Sequence, residues 1–272
     1  WILDAVWDYG INIGSEDVST HLLAAFEDAE AGTGRGKYQA DDRGTESICD
    51  GVKVKVDEKK FAFIMCTNNK QYCREALHYI EKLRVPDGYI VEMCVIEDAA
   101  CMTEGYQRAM MSSQAKYKIY LHQDVMIIEE NFLQHLLDIF ADKEVGMIGM
   151  IGSPEMPENS IMWYGERIGC IYSSSAYHME LYTAGEVMEP YQQVEAVDGL
   201  LIATQYDVPW REDLFRKWDF YDISQAFEFR KRGYQIVVPA MKKPWCIHDC
   251  GASDFQNYFE ERKKFQKEYR GR

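Results

Sequence analysis

The sequence predicts an α/β protein, a single large domain in which a mostly parallel sheet carries helices on both faces. Two observations support this fold class. From residue 60 onward, apolar runs of strand length alternate four times with amphipathic segments of helix length, a pattern typical of a parallel sheet with crossover helices. The chain has 272 residues, a length that suits one large α/β domain with a sizeable core.

The first predicted strand covers residues 61–66, which form an uninterrupted apolar run. The run ends at Thr67, Asn68 and Asn69. Asn69 suits the start of a helix, because its side-chain oxygen can accept hydrogen bonds from the first N–H groups of the helix. Apolar residues then recur at helical spacing to about residue 84, so a helix is predicted there.

The elements after this helix continue the alternation. They are predicted as strand 89–96, helix 102–115, strand 117–121, helix 131–141, strand 145–151, strand 200–204, a helix that ends near residue 232, strand 234–238 and a C-terminal helix at 252–270. The second strand ends at Glu97 and Asp98, and the third ends at His122, Gln123 and Asp124. Because ligands bind at the carboxyl ends of parallel strands, these polar residues are expected to meet those after the first strand.

Three regions are predicted along the chain. Residues 1–58 form an N-terminal extension of helix and loop, residues 59–250 form the main domain, and residues 251–272 form a C-terminal helix packed on it. The inner side of that helix is predicted to carry Phe255, Phe259 and Phe265. Residues 152–196 lose the periodicity and are rich in Tyr, Trp and Pro, which fits either ordinary loop packing or a surface that faces a sugar or an acceptor.

The N-terminal extension is predicted to hold an amphipathic helix around His21 and Phe26, followed by a Gly-rich loop. This loop contains G-T-G-R-G-K, which superficially resembles a phosphate-binding P-loop. A P-loop needs a glycine where Ala31 stands, Ser or Thr where Tyr38 stands, and a preceding strand. The loop is therefore interpreted as a surface loop, and a nucleotidyltransferase with a triphosphate loop is not favoured.

The chain is strongly acidic, with 45 acidic and 30 basic residues and a formal net charge of −15. This balance argues against nucleic acid as a partner, because a basic surface supplies most of the affinity for duplexes. A phosphate-bearing ligand is compatible with the charge if a divalent cation or a helix N-terminus offsets it. No window approaches ~18 uninterrupted apolar residues, so no transmembrane segment is predicted.

A His-x-Asp motif, His122 and Asp124, stands at the end of a predicted strand. A carboxylate there suits a hard divalent cation that bridges two phosphates, although an Asp that accepts backbone N–H bonds in a turn gives the same pattern. His248 could complete a cation site as a neutral imidazole or be structural. Its setting between Cys246 and Cys250 resembles a fragment of a zinc site, without the usual spacing and fourth ligand.

Four further carboxylates have two interpretations each. Asp219 and Asp222 flank a predicted helix start, so Asp222 suits either an N-cap or a base that deprotonates an acceptor hydroxyl. Glu97 and Asp98 suit hydrogen bonds to a ribose or a base, or are solvated loop charges. These residues alone do not decide between the alternatives.

Six segments occur in order along the chain: F-I-M-C-T-N-N, V-I-E-D, Y-L-H-Q-D-V, V-D-G-L-L-I-A-T, D-F-Y-D-I-S-Q-A-F-E-F-R-K-R-G-Y and H-D-C-G. Their order over about residues 60–250 resembles family 2 type glycosyltransferases with the Rossmann-like GT-A fold. It is most similar to a small bacterial subgroup of glycosyltransferase-like proteins related to a streptomycin-biosynthesis protein. The resemblance implies sugar transfer from a nucleoside diphosphate donor to an acceptor hydroxyl, with Mn²⁺ or Mg²⁺ as cofactor.

The resemblance also implies roles for individual residues. It assigns the donor nucleotide to Thr67, Asn68, Asn69, Glu97, Asp98 and Gln123, the cation to His122, Asp124 and His248, the acceptor side to Asp198 and Gly199, and the catalytic base to Asp222 or Asp219. His122 stands where the family's D-x-D motif has its first Asp, which leaves a less anionic site that still suits Mn²⁺. The family's Q-x-x-R-W signature is absent, which argues against processive polymer synthesis.

Two hypotheses follow from this reading. The first is a metal-assisted, inverting hexosyltransferase whose acceptor is a glycan, a lipid-linked molecule or a small molecule. The second is a catalytically weak GT-A module that binds nucleotide or glycan. Cysteines in apolar settings and the absence of a signal-peptide pattern favour a cytoplasmic protein. The basic residues 262–264 allow peripheral contact with a membrane, and a homodimer is compatible with the sequence.

Overall fold

A seven-stranded sheet lies at the centre of the described chain. The computed structural model describes residues 46–49, 52–174, 178–250 and 256–271, which all lie in the unit formed by residues 39–272. The strands are β1 (Glu46–Cys49), β2 (Val52–Lys55), β3 (Asp57–Cys66), β4 (Ile90–Ile96), β5 (Ala115–Leu121), β6 (Val125–Ile127), β7 (Val145–Gly149), β8 (Ile151–Ser153), β9 (Ile168–Ser174), β10 (Met179–Gly185), β11 (Tyr191–Val194), β12 (Ala196–Val197), β13 (Leu201–Thr204), β14 (Gln235–Pro239) and β15 (Cys246–His248). The α-helices are α1 (Lys70–Ile80), α2 (Met102–Ser112), α3 (Phe132–Phe140), α4 (Tyr221–Lys231) and α5 (Tyr258–Tyr269).

The strand order of the central sheet is β11-β14-β7-β13-β5-β3-β4. Strands β4, β3, β5, β7 and β14 run in one direction, whereas β13 and β11 run in the other. The predicted α/β class with a mostly parallel sheet is therefore confirmed. β13 runs against both neighbours because no α-helix crosses over in the described chain between β7 and β13, and an antiparallel strand needs no crossover.

Alternating side chains of β3 enter two separate cores. Phe61, Phe63 and Met65 are buried in a core that also contains side chains of α1 and α3. Ala62 and Ile64 are buried in a core that contains side chains of α2, α4 and α5. The period of two along the strand therefore places helices on both faces of the sheet, as the fold class requires.

A second sheet has the strand order β12-β8-β9-β15-β6, with β10 paired to β9. Three of its strands, β8, β9 and β10, fall largely within residues 152–196, and β11 of the same stretch joins the central sheet, so this stretch is more regular than the sequence indicates. The sequence signal is weak because β8 and β12 have only three and two residues, and most side chains of β10 are exposed. In this sheet β15 pairs antiparallel to β6, with His248 opposite Val125.

The first helix begins where the sequence predicts. The side-chain oxygen of Asn69 accepts hydrogen bonds from the backbone N–H groups of Gln71 at 3.0 Å and Tyr72 at 3.4 Å, which satisfies two N–H groups that the first turn leaves without an intrahelical partner. The helices have between 9 and 12 residues. Within the described ranges, none is long and apolar enough to cross a bilayer.

The described part of the N-terminal extension differs from the helix and loop predicted there. β1 and β2 form an antiparallel hairpin, and β3 already begins at Asp57. The segment V-K-V-K at 52–55 alternates with the period of a strand, a signal that the neighbouring Gly-rich sequence obscures. The helix predicted around His21 and Phe26 and the Gly-rich loop after it lie outside the described residues.

The C-terminal helix α5 packs on the main domain with Phe265, which is fully buried. Phe259 is 56% exposed, so its predicted place on the inner side is wrong. Two residues six positions apart lie about 240° apart around a helix of 3.6 residues per turn, so they cannot share one face. Phe255 lies outside the described residues.

Candidate functional site

His122, Asp124 and His248 meet beside the carboxyl end of β5. The antiparallel pairing of β15 with β6 places His248 opposite Val125, and therefore next to Asp124. The Oδ1 atom of Asp124 lies 3.6 Å from Nε2 of His248 and 4.0 Å from Nδ1 of His122. The two imidazole rings are 5.4 Å apart between centroids. We call these three residues the cation triad.

The cation triad has the arrangement expected of metal ligands. One ligand atom from each residue lies within 4.8 Å of the other two. The Oδ1 atom of Asp124 is buried and accepts no hydrogen bond from the described residues. A buried carboxylate oxygen without a partner is costly, and a divalent cation held between it and two imidazoles would satisfy it. The residues present therefore fit a divalent cation.

The charge states of the triad agree with this fit. Burial, together with the nearby His248, lowers the pKa of His122 to about 3, so its imidazole is neutral at physiological pH. A neutral imidazole is the form that binds metal ions. Burial also raises the pKa of Asp124, and His248 opposes this effect. The metal-free site therefore disfavours the ionised carboxylate, which a bound cation would stabilise.

The zinc alternative around His248 is not supported. The side chain of Cys246 is fully buried, and this burial raises the pKa of its thiol. The Sγ atom of Cys250 donates to the carbonyl oxygen of Ser174 at 3.4 Å. In the part of the chain that the structure describes, neither cysteine joins the cation triad.

Gln123 holds the loop after β3 with its side-chain amide. Its Oε1 atom accepts hydrogen bonds from the Thr67 hydroxyl at 2.7 Å, the Asn69 N–H at 2.9 Å and the Asn68 N–H at 3.0 Å. Its Nε2 atom donates to Oδ1 of Asn68 at 2.8 Å. Gln123 thus shapes the predicted donor loop, and most of its hydrogen-bonding capacity is used by that loop.

A cleft of about 370 Å³ opens between this loop, the end of β4 and the cation triad. It is lined by Cys66, Thr67, Asn68, Ile96, Glu97, Ala99, Met102, His122, Gln123, Asp124 and Trp218. The predicted donor residues Thr67, Asn68, Glu97 and Gln123 therefore share one cleft with two members of the triad. The lining includes Trp218, which the sequence analysis does not select.

Asp98 differs from its neighbour Glu97. Its carboxylate makes a bidentate ion pair with Arg108, with Nη2–Oδ1 and Nη1–Oδ2 distances of 2.5 and 3.4 Å. This hydrogen-bonded contact lowers the pKa of Asp98. Asp98 is absent from the cleft lining. The two acidic residues predicted to share a role thus have different surroundings, and only Glu97 faces the cleft.

Asp222 and Asp198 form a second cluster, which we call the acid pair. The carboxylate of Asp222 accepts hydrogen bonds from the N–H groups of Gly199 at 2.9 Å and Ile223 at 2.8 Å. The carboxylate of Asp198 accepts one from the N–H of Leu200 at 2.9 Å. Burial, and next the charge of Asp198, raise the pKa of Asp222 to about 7, and burial raises that of Asp198. A carboxyl group with such a pKa can exchange a proton near neutral pH.

Asp222 lies in the first turn of α4 rather than at its N-cap position, which Phe220 occupies. Asp219 precedes this helix in a half-buried turn. Neither Asp219 nor the acid pair lines the cleft described above. The two carboxylates predicted at this helix start therefore have different places: Asp222 lies inside the first turn of α4, and Asp219 lies in the turn before it.

Tyr221 joins the two clusters and is missed by the sequence analysis. Its hydroxyl is hydrogen-bonded to Nε2 of His122, and Asp222 is the next residue along the chain. A Cβ atom on Gly199 would lie 2.1 Å from this hydroxyl oxygen, so glycine is required for the contact. The only sequence signal is the position of Tyr221 within the D-F-Y-D segment.

A sequence profile of the Glycosyltransferase like family matches residues 62–269 of the chain. The matched range contains every residue of the cleft lining, the cation triad and the acid pair. No curated protein matches the chain significantly.

The solved structures similar to the chain include two of TarS and one of a mannosyltransferase. TarS from S. aureus is 12% identical over 74% of this chain and 38% of its own, with a TM-score of 0.49. TarS 1–349 in complex with UDP has the same identity, coverage of this chain and TM-score, with 63% of its own length covered. The mannosyltransferase PcManGT from Pyrobaculum calidifontis, in complex with GDP-Man and Mn²⁺, is 11% identical over 93% of this chain and 72% of its own, with a TM-score of 0.49. The chain thus spans less than two thirds of both TarS chains.

Proposed function

This chain belongs to the Glycosyltransferase like family, and from that premise we propose that it transfers a sugar from a nucleoside diphosphate donor to an acceptor hydroxyl. In this proposal a divalent cation assists the transfer, and the configuration at the anomeric carbon is inverted. The observation that carries the proposal is the Oδ1 atom of Asp124. It is buried without a hydrogen-bond partner among the described residues, between two imidazoles, at the end of the donor cleft.

The cation would be held by His122, Asp124 and His248. When bound, a divalent cation stabilises the negative charge that develops on a departing diphosphate. Two imidazoles and one carboxylate suit Mn²⁺, Co²⁺ or Zn²⁺ better than Mg²⁺, since imidazole binds the later divalent metals more strongly. The cofactor that we propose is a divalent cation, with Mn²⁺ favoured over Mg²⁺.

The donor nucleotide would occupy the cleft beside the cation triad. Thr67, Asn68 and Glu97 line this cleft and offer hydroxyl, amide and carboxylate groups to a ribose or a base. Asn69 supports the cleft indirectly, because its side chain caps α1 and its backbone N–H donates to Gln123. The ion pair between Asp98 and Arg108 supports a structural role for Asp98 at the edge of this site.

Replacing Gln123 with alanine is expected to weaken nucleotide binding about tenfold. The change removes the acceptor shared by Thr67, Asn68 and Asn69, and each hydrogen bond of this kind contributes about 0.5–1.5 kcal/mol. Isothermal titration with the nucleotide that binds wild type measures the effect. Gln134→Ala is the control, because Gln134 is exposed and donates to Asp138 on α3. Equal affinity in wild type and Gln123→Ala would contradict the role of Gln123.

The acceptor hydroxyl would lose its proton to Asp222. The pKa of Asp222 is about 7, so its carboxyl group can accept and release a proton at neutral pH. The two backbone N–H groups that donate to its carboxylate fix the orientation of the side chain. Asp219 is the alternative base. In this proposal Gly199 belongs to the acceptor side through its N–H, which donates to Asp222, and Asp198 through its charge, which raises the pKa of Asp222.

The order of the sequence segments from about residue 60 to 250 supports a finer assignment. We include in the proposal the GT-A type of the fold, hexosyl transfer, and the bacterial subgroup related to a streptomycin-biosynthesis protein. A cytoplasmic protein with peripheral contact to a membrane is part of the same proposal.

A thermal-shift panel tests the proposed function. The full chain is heated with UDP, GDP, dTDP, CDP or ADP, each with and without Mn²⁺. A ligand that binds only the folded protein stabilises it by about 2.7 kcal/mol at 100 times its Kd. One nucleotide is expected to raise the melting temperature strongly with Mn²⁺ and weakly without it, and the same nucleotide names the donor.

Two other outcomes of this panel would contradict the proposal. A shift that is equal with and without Mn²⁺ would contradict the cation site while retaining the donor cleft. No shift with any nucleotide would contradict the donor site itself. Nucleotide binding without transfer, in a subsequent assay with the matching nucleotide sugars and Mn²⁺, would favour the binding module over the enzyme.

A further inference from the structure

We propose that Tyr221 is a positioning residue for the cation, because its hydroxyl accepts the Nε2–H of His122 and so turns the Nδ1 lone pair towards Asp124. This inference rests on the proposed function, since it assumes that the cation triad binds a metal. It adds a residue outside the triad and assigns a tautomer to His122.

The surroundings of Tyr221 hold its hydroxyl in place. The residue is 4% exposed. Its ring packs 5.9 Å from that of Tyr106 and 6.4 Å from that of Trp210, measured between centroids. The missing Cβ of Gly199 leaves the space that the hydroxyl oxygen occupies. A side chain packed on all these sides has little freedom to move away from His122.

The contacts of His122 favour one tautomer. A neutral imidazole carries a single N–H, and its other nitrogen is an acceptor or a metal ligand. Nδ1 lies 4.0 Å from Oδ1 of Asp124, which accepts no hydrogen bond from the described residues. The N–H is therefore assigned to Nε2, which contacts the Tyr221 hydroxyl. Metal-binding histidines commonly donate their second N–H to a fixed acceptor in this way.

The same residues also position the proposed base. Asp222 follows Tyr221 in the first turn of α4, and its carboxylate accepts the N–H of Gly199. Gly199 thus contacts Asp222 through its N–H and leaves room for Tyr221 through its missing side chain. Tyr221 and Gly199 therefore link the cation end of the site to the acceptor end.

The variant Tyr221→Phe tests the inference, because it removes the hydroxyl and keeps the ring. Co²⁺ alone is titrated into wild type and variant, and binding is followed by visible absorption of the bound ion. Tyr221→Phe is expected to bind Co²⁺ about 10- to 100-fold more weakly, the usual effect of removing such a partner, with an altered absorption spectrum. Tyr106→Phe is the matched control. Tyr106 is also buried and packs on Tyr221, but its hydroxyl donates to the carbonyl of Leu121 at 3.3 Å.

Nitrogen NMR of the metal-free protein tests the tautomer directly. Wild type and Tyr106→Phe are expected to show His122 with its proton on Nε2, and Tyr221→Phe is expected to lose this preference. Equal Co²⁺ affinity and spectra in wild type and Tyr221→Phe would overturn the inference and leave the proposed function standing. Absence of Co²⁺ binding by wild type would instead contradict the proposed cation site, and a proton on Nδ1 in wild type would overturn the inference by itself.

Discussion

Replacing Asp124 with asparagine is expected to lower turnover by about 10²–10³-fold, the usual cost of removing one group that stabilises charge in the transition state. Asp124 is the member of the cation triad that can supply negative charge to a bound cation, and its replacement leaves two imidazoles as ligands. Co²⁺ or Mn²⁺ binding is expected to weaken together with turnover. The metal-free variant should melt at or above the temperature of wild type, because burial already disfavours the ionised carboxylate.

The matched control for this variant is Asp249→Asn. Asp249 follows His248 directly, but its carboxylate accepts a hydrogen bond from the Ser174 hydroxyl and is not a member of the triad. Its replacement changes the local charge by the same amount and is expected to keep most of the activity. Near-wild-type turnover in Asp124→Asn would contradict the cation site. An equal loss in both variants would indicate that the local charge, rather than a ligand, matters.

Replacing Asp222 with asparagine is expected to lower turnover by about 10²–10⁴-fold, the usual contribution of a general base. In wild type, kcat/KM should rise with pH and level off above about pH 7, because the base must be unprotonated and its pKa is about 7. The residual activity of Asp222→Asn should lack this rise. The pH dependence of kcat/KM for both proteins, measured with the donor that the nucleotide panel identifies, checks the prediction.

Asp222 also makes the stability of the metal-free protein depend on pH. Its pKa is about 7 in the folded chain against 3.8 ordinarily, so the folded state holds a proton that the unfolded state releases. The contribution of Asp222 to the free energy of unfolding is fully present below about pH 4, and it is lost as the pH rises towards 7. One pKa unit corresponds to about 1.4 kcal/mol, so the free energy of unfolding lost over this pH range is on the order of a few kcal/mol. Asp222→Asn should therefore show a shallower loss of stability over this range.

The same measurements on Asp219→Asn separate the two candidate bases. If Asp222 is the base, Asp219→Asn keeps the rise of kcat/KM with pH. If the rise disappears in Asp219→Asn and persists in Asp222→Asn, the assignment of the base is wrong. A stability profile of Asp222→Asn that equals wild type would contradict the raised pKa of Asp222.

Local signals in the sequence are sufficient for six of the seven strands of the central sheet, whereas β11 lies in the stretch without periodicity. Residues 61–66 are an apolar run that becomes a buried strand, and Asn69 is a cap that begins the next helix. Both features depend on side chains and their immediate neighbours, so they can be recognised without the fold. The rule that ligands bind at the carboxyl ends of parallel strands then brings Thr67, Glu97 and His122 to one cleft, as the structure has them.

Features that depend on contacts between distant segments could not be predicted in the same way. Exposed side chains of β10 give no apolar pattern, and its pairing with β9 depends on the register between the two strands. Asp98 and Glu97 are neighbours in sequence, and only the position of Arg108 one helix later separates their roles. Tyr221 becomes a partner of His122 across 99 positions of the chain, which no local pattern encodes.

Gln123 lies between two residues of the cation triad, and this position has a thermodynamic consequence. In the proposed function His122 and Asp124 hold the cation, while Gln123 between them accepts hydrogen bonds from the loop that lines the cleft. In that function, ordering of the loop by a nucleotide would act on the spacing of the two ligands, because Gln123 is covalently joined to both. Coupling between two binding events is reciprocal. The factor by which a nucleotide tightens cation binding must equal the factor by which the cation tightens nucleotide binding.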